Sequence, residues 1–116
     1  MNLSEYTAFT RTTAIYPDAN LGNTTELMYL ALGLAGEAGE VANKIKKLYR
    51  DSHSEGSYAY YEKRKALEDE LGDVLWYWAR LCDALNRVPD NVIVANVTKL
   101  TRRQANGSLK GDGDNR

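Results

Sequence analysis

The stretch LMYLALGLAGEAGEVANKIKKL, running from Leu27 to Leu48, decides the fold of this chain. Leu27, Leu34, Val41 and Leu48 recur every seven residues, and Ala31, Ala38 and Ile45 fill the intervening positions. Alternating steps of three and four residues draw one apolar seam along an α-helix, the kind that packs against an antiparallel neighbour. The neighbour follows in sequence: Leu67, Leu71, Val74, Trp78, Leu81 and Leu85 keep the same rhythm. Between the two seams, Asp51-Ser52-His53-Ser54-Glu55-Gly56-Ser57 supplies turn residues and no apolar period.

The flanking segments read as two further helices. Leu3, Tyr6 and Phe9 stand at helical spacing in a short N-terminal helix ended by Tyr16-Pro17, because the residue before proline is disfavoured in the α region. Asn20 to Asn23 form a loop, and Thr24 or Thr25 caps the long helix. Pro89 opens the last helix, with Ile93, Val97 and Leu100 expected to face inward. Residues 106–116 carry three glycines and four charges and read as a flexible or substrate-ordered extension. No strand and no internal repeat stands out. The expectation is an all-α, four-helix domain over residues 1–105 with a tail over residues 106–116.

Composition narrows the function. With 116 residues the chain is one domain with a modest core, of the size that helical proteins often complete by oligomerising. A formal net charge of -1 lacks the basic excess of a dedicated nucleic-acid binder. The single cysteine, Cys82, forbids an internal disulfide and fits a reducing compartment. No apolar run approaches the roughly 20 residues that span a bilayer, so the cytoplasm is the expected location and no membrane partner is expected.

Two acidic pairs carry the chemistry. Glu37 and Glu40, and Glu70 and Asp73, are each spaced by about one helical turn, and all four stand immediately before seam residues. Positions 37 and 73 sum to the same value as 40 and 70, with a common midpoint at Glu55 in the turn. A hairpin would therefore set Glu37 level with Asp73 and Glu40 level with Glu70, the two levels about 4.5 Å apart. Four carboxylates so close repel one another, and a hard divalent cation, Mg²⁺ with Mn²⁺ as an alternative, relieves the repulsion. The plainer view of each pair is a solvated helix face, with Lys44 and Lys47 placed to neutralise Glu40. A di-iron bundle needs Glu-x-x-His motifs, and the only histidine, His53, lies in the turn.

Gly33-Leu34-Ala35-Gly36-Glu37-Ala38-Gly39-Glu40-Val41, then Glu70-Leu71-Gly72-Asp73-Val74-Leu75-Trp76-Tyr77, then Asn96-x-x-Lys99-Leu100-x-x-Arg103 together resemble the MazG-like nucleotide pyrophosphohydrolases of the all-α NTP pyrophosphatase superfamily. The resemblance runs from Tyr6 to the tail. It departs from the family pattern at Gly36, where a further glutamate often stands, and in a slightly long interval placed in the turn. The resemblance implies Mg²⁺-dependent hydrolysis of (d)NTPs between the α- and β-phosphates, by a homodimer or homotetramer. It implies Glu37, Glu40, Glu70 and Asp73 as catalytic and metal residues; of these, a carboxylate not fully used by metal, Glu37 or Glu40, is the expected group to orient or deprotonate water. Lys44, Lys47, Tyr77, Asn96, Lys99 and Arg103 become candidate substrate-binding residues, and Arg116 of the tail a candidate to close over phosphate. The related alternatives are a phosphoribosyl-ATP pyrophosphohydrolase and a non-catalytic helical nucleotide-sensing or oligomerisation module.

Overall fold

The computed structural model describes residues 1–51 and 56–116; His53 and the midpoint Glu55 lie outside them. Four helices follow in order, α1 (Leu3–Thr12), α2 (Thr24–Asp51), α3 (Tyr58–Ala84) and α4 (Pro89–Ala105), with no strand among the described residues. None of the helices is long and apolar enough to cross a membrane.

Each helix end has a local cause. The Asn2 side chain caps α1, accepting from the Glu5 amide at 2.8 Å, while the Glu5 carboxylate accepts from the Asn2 amide. That helix stops at Thr12 and not at Tyr16-Pro17, because Thr13 closes it with αR backbone and Tyr16 is needed elsewhere as a buried side chain. The cap of α2 is Asn23, whose Oδ1 accepts from the Glu26 amide at 2.9 Å, in place of the expected Thr24 or Thr25. Ser57 caps α3 by accepting from the Tyr60 amide. At its far end Asn86 takes a left-handed conformation (φ 53°) and the Arg87 amide donates back to the Cys82 carbonyl at 2.7 Å, a helix stop of Schellman type.

Helices α2 and α3 form the expected antiparallel hairpin, and its register is the one the numbering gave. Gly33 faces Tyr77, and Lys44 Nζ donates to the Ala66 carbonyl at 3.4 Å; both pairs have the same index sum as Glu37 with Asp73. Leu27, Leu34, Val41 and Leu48 are half-buried as the seam requires, whereas Ile45 is 48% exposed and Leu71 57%. The fully buried centre is displaced to the open end of the hairpin, at Leu30, Ala79 and Cys82.

Helix α4 departs from expectation. Ile93, Val97 and Leu100 do not face a core: they are 39%, 56% and 43% exposed. After the turn at Asn86, α4 packs on α1 and α3 and, among the described residues, does not reach α2. The result is an open shape, with a radius of gyration of 17.5 Å, against about 13 Å for a compact chain of this length.

A buried polar network ties the open end together. Glu26, wholly buried, accepts from the Tyr16 hydroxyl at 2.6 Å, the Asn20 amide at 2.6 Å and the Gly22 amide at 2.9 Å. Arg80, also wholly buried, donates to the Tyr16 oxygen, to Asn20 Oδ1 at 2.7 Å and to Asp83 at 2.8 Å. Arg11 of α1 grips the same Asp83 through Nε and Nη2. Burial pushes Glu26 up, but the three hydrogen bonds and the Arg80 charge outweigh it and hold the carboxyl below its ordinary range. Burial, then the bond to Glu26, pushes the Tyr16 phenol up to about 12. Gly22 (φ +65°) lets the loop backbone pass against the Ala84 carbonyl, where a Cβ would sit 3.1 Å away.

Candidate functional site

Midway along the hairpin, Glu37 of α2 meets Glu70 and Asp73 of α3, each offering a carboxylate oxygen so that the three atoms lie within 4.8 Å of one another. The first two are half-buried and Asp73 is exposed, so the cluster opens to solvent on one side. Oxygen ligands of Mg²⁺ sit about 2.0–2.1 Å from the ion, so opposite ligands of one ion are about 4 Å apart. The observed spread therefore fits a single hard cation with small side-chain adjustments. Burial, followed by the charges of Asp73, Glu70 and Glu40, pushes the Glu37 carboxyl above its ordinary range.

Glu40 stands apart from this group. It is exposed, one turn beyond Glu37, and close enough to act on it through charge alone. Lys44 forms its ion pair with Glu70, across the hairpin, and not with Glu40. Its ammonium is held above the ordinary lysine range by that hydrogen bond. Lys47 is exposed.

Tyr77 is fixed by a helix-to-helix contact. Its ring occupies the space beside Gly33, where an added Cβ would lie 2.1 Å from Cε1 and 2.4 Å from Cζ. Trp76 packs edge-on against it at 5.0 Å, and Tyr29 lies at 6.5 Å. Burial raises the Tyr77 phenol above its ordinary range, helped by Tyr29 and by the charges of Glu37 and Asp73. The Tyr6 phenol of α1, which packs on α3, is raised above its ordinary range by burial and then by the charge of Asp73.

The α4 candidates lie elsewhere. Asn96 is exposed, Lys99 half-buried, and Arg103 buried under the tail. Among the described residues α4 does not reach α2, and no hydrogen bond or ion pair joins Asn96, Lys99 or Arg103 to the clustered carboxylates. Arg116 donates to the tail's own carbonyls.

The buried network of Tyr16, Glu26, Arg80 and Asp83 was missed by sequence reasoning, yet a signal was present. Glu26 immediately precedes Leu27 and Arg80 immediately precedes Leu81. Their offset from the seam is that of the four carboxylates, so both charges belong to the same stripe, continued to the open end of the hairpin.

The sequence model of the MazG nucleotide pyrophosphohydrolase domain matches residues 25–108, a range that holds all four acidic candidates and Arg103 but not the last eight residues. The chain is also 42% identical over 117 residues to the Gene 37 protein of Mycobacterium phage L5, covering 100% of both chains. No solved structure matches.

Proposed function

This chain belongs to the MazG nucleotide pyrophosphohydrolase family, and from that premise we propose that it hydrolyses nucleoside triphosphates to monophosphate and pyrophosphate. The observation that carries the proposal is the meeting of Glu37, Glu70 and Asp73 within 4.8 Å, on a face flanked by Lys44 and Tyr77. Those three carboxylates would hold Mg²⁺. Bound there, the ion neutralises triphosphate charge and makes a water more acidic.

The chain's own groups do the rest. Glu40, adjacent to the cluster but outside it, is the carboxylate left to orient the attacking water and accept its proton. Water adds at phosphorus, the bridging bond between the α- and β-phosphates breaks, and pyrophosphate leaves. Lys44, already paired with Glu70, holds that carboxylate in place and adds positive charge beside the departing group. Tyr77 holds the α2–α3 spacing through Gly33.

The same proposal has the chain assemble with itself, as a dimer or a pair of dimers. Ile93, Val97 and Leu100, at helical spacing on α4, leave an apolar face that one chain does not cover, and Leu71 on α3 is exposed as well. Covering it with α4 of a second copy would bring Asn96, Lys99 and Arg103 toward carboxylates that their own chain does not give them.

The experiment is pyrophosphate release from a panel of NTPs and dNTPs with Mg²⁺, alongside calorimetric Mg²⁺ binding, for the wild type, Asp73→Asn and Glu40→Gln. Asp73→Asn is expected to lose both metal affinity and turnover. Glu40→Gln is expected to keep metal affinity and lose turnover by about 10²-fold or more. No release from any nucleotide by the wild type would overturn the activity. Unchanged turnover in Glu40→Gln would overturn its role alone.

A further inference from the structure

Arg103 is a buried cation with an incomplete set of partners. Its side chain is 6% exposed, and what covers it is the tail that follows α4. Nη2 donates to the Asp114 carbonyl at 2.9 Å and more distantly to the Gly113 carbonyl at 3.5 Å. The Asp114 carboxylate, 90% exposed, stands 3.5 Å from the same nitrogen. Nε, on the same edge of the guanidinium, is buried and has no partner among the described residues. Two other arginines of this chain show how that edge is normally filled. Arg11 and Arg50 each place Nε and Nη2 on the two oxygens of one carboxylate, Asp83 and Asp51 respectively. Paired, charge-assisted bonds of that kind are the strong ones, and a buried donor left unpaired costs free energy.

The tail is held over Arg103 by a second arginine. Arg116 donates to the carbonyls of Ser108 at 3.2 Å, Leu109 at 3.4 Å and Gly113, closing the segment into a loop. Gly113, at φ +79°, gives its carbonyl to both arginines. Beside this loop, Asp114 and Asn115 face Lys99 and Arg102 across a cleft of about 560 Å³. An acidic residue thus sits opposite Lys99, a candidate substrate-binding cation, and its neighbour Arg102.

We propose that residues 108–116 are an internal latch, whose Gly113 and Asp114 carbonyls and Asp114 carboxylate occupy the α4 cations until a phosphate anion displaces them. A phosphoryl group offers two oxygens to the Nε–Nη2 edge of Arg103, filling the donor that the latch leaves empty. The latch rests on the reading of α4 as a phosphate-binding helix, but not on hydrolysis. Arg116 is a positioning residue, acting on Arg103 through the loop it closes.

The test uses the full chain with Mg²⁺ and inorganic pyrophosphate as the probe. Hydrogen exchange of residues 108–116 is measured with and without pyrophosphate, and pyrophosphate affinity is measured by calorimetry for the wild type, Arg116→Ala, Arg116→Lys and Arg103→Lys. Pyrophosphate is expected to speed exchange across the tail. Arg116→Ala is expected to bind it about fivefold more tightly or better, because an occupied site lowers apparent affinity by its free fraction. Arg116→Lys should fall between, and Arg103→Lys should lose the exchange response and bind pyrophosphate more weakly than the wild type. A tail that stays protected with pyrophosphate bound, no pyrophosphate binding at all, or equal or weaker binding by Arg116→Ala would each overturn the latch. The two proposals fail separately: a chain that hydrolyses no nucleotide but frees its tail on binding pyrophosphate keeps the latch and loses the activity.

Discussion

Replacing Gly33 by alanine tests the proposal that its contact with Tyr77 sets the width of the acidic site. The added Cβ would stand 2.1 Å from Tyr77 Cε1, and carbon atoms at rest need about 3.5 Å, so the ring has to withdraw by roughly 1.4 Å. It has little room, with Trp76 edge-on at 5.0 Å and Tyr29 at 6.5 Å. Overpacking of this kind costs about 1–3 kcal/mol. Alanine gains back about 1 kcal/mol over glycine inside a helix, leaving a net loss of roughly 0–2 kcal/mol and a fall in Tm of a few degrees. Activity should suffer more than stability. Gly33 lies one turn before Glu37 and faces the residue one turn after Asp73, so the strain separates two of the proposed metal ligands, and a displacement near 1 Å can cost about 10²-fold in rate. The assays are thermal melting and pyrophosphate release, run on Gly33→Ala, Tyr77→Leu and the double variant. The double variant should recover the stability lost in Gly33→Ala, with a coupling of about 1 kcal/mol or more. If Gly33→Ala melts higher than the wild type by the full helix gain and keeps its rate, the contact does not set the site.

Two further outcomes follow from the buried network. Glu26→Ala removes the carboxylate that accepts three hydrogen bonds and leaves Arg80 buried without its nearest wholly buried counter-charge, so unfolding free energy should drop by about 3–5 kcal/mol; a denaturant titration showing a loss below about 1 kcal/mol would remove the network from the account of stability. Acid should act on the same groups: Glu26 is held below 4.5 and Asp83, chiefly by Arg11, below 3.8. Because both folded values are depressed, their contribution is complete above those ordinary values and is lost as pH falls through the lower folded ones. Melting temperature should therefore be level from neutrality to about pH 5 and fall steeply below about pH 4, with a shallower fall in Glu26→Gln.

The sequence by itself determined the hairpin and the acidic face along it. A seven-residue apolar rhythm is a local periodic signal, and two such seams joined by one turn admit few registers, so index sums placed Glu37 against Asp73 and, unasked, Gly33 against Tyr77 and Lys44 against Ala66. Family membership was legible for the same reason, since its motifs lie on those two helices. The tertiary structure alone decided which charges meet. Glu40 shares the spacing of its three companions, but only those three bring carboxylate oxygens within 4.8 Å of one another, and Lys44 reaches Glu70 across the hairpin where helix-surface spacing pointed to Glu40. It also decided the fate of α4, because an apolar stripe states that a face seeks cover and not which partner covers it. The stop at Asn86 sends α4 away from α2, so Ile93, Val97 and Leu100 stay exposed. Arg103, in sequence one cation of a basic face, is buried beneath a tail whose glycines and arginine fold it back, an arrangement of backbone carbonyls that no side-chain pattern records.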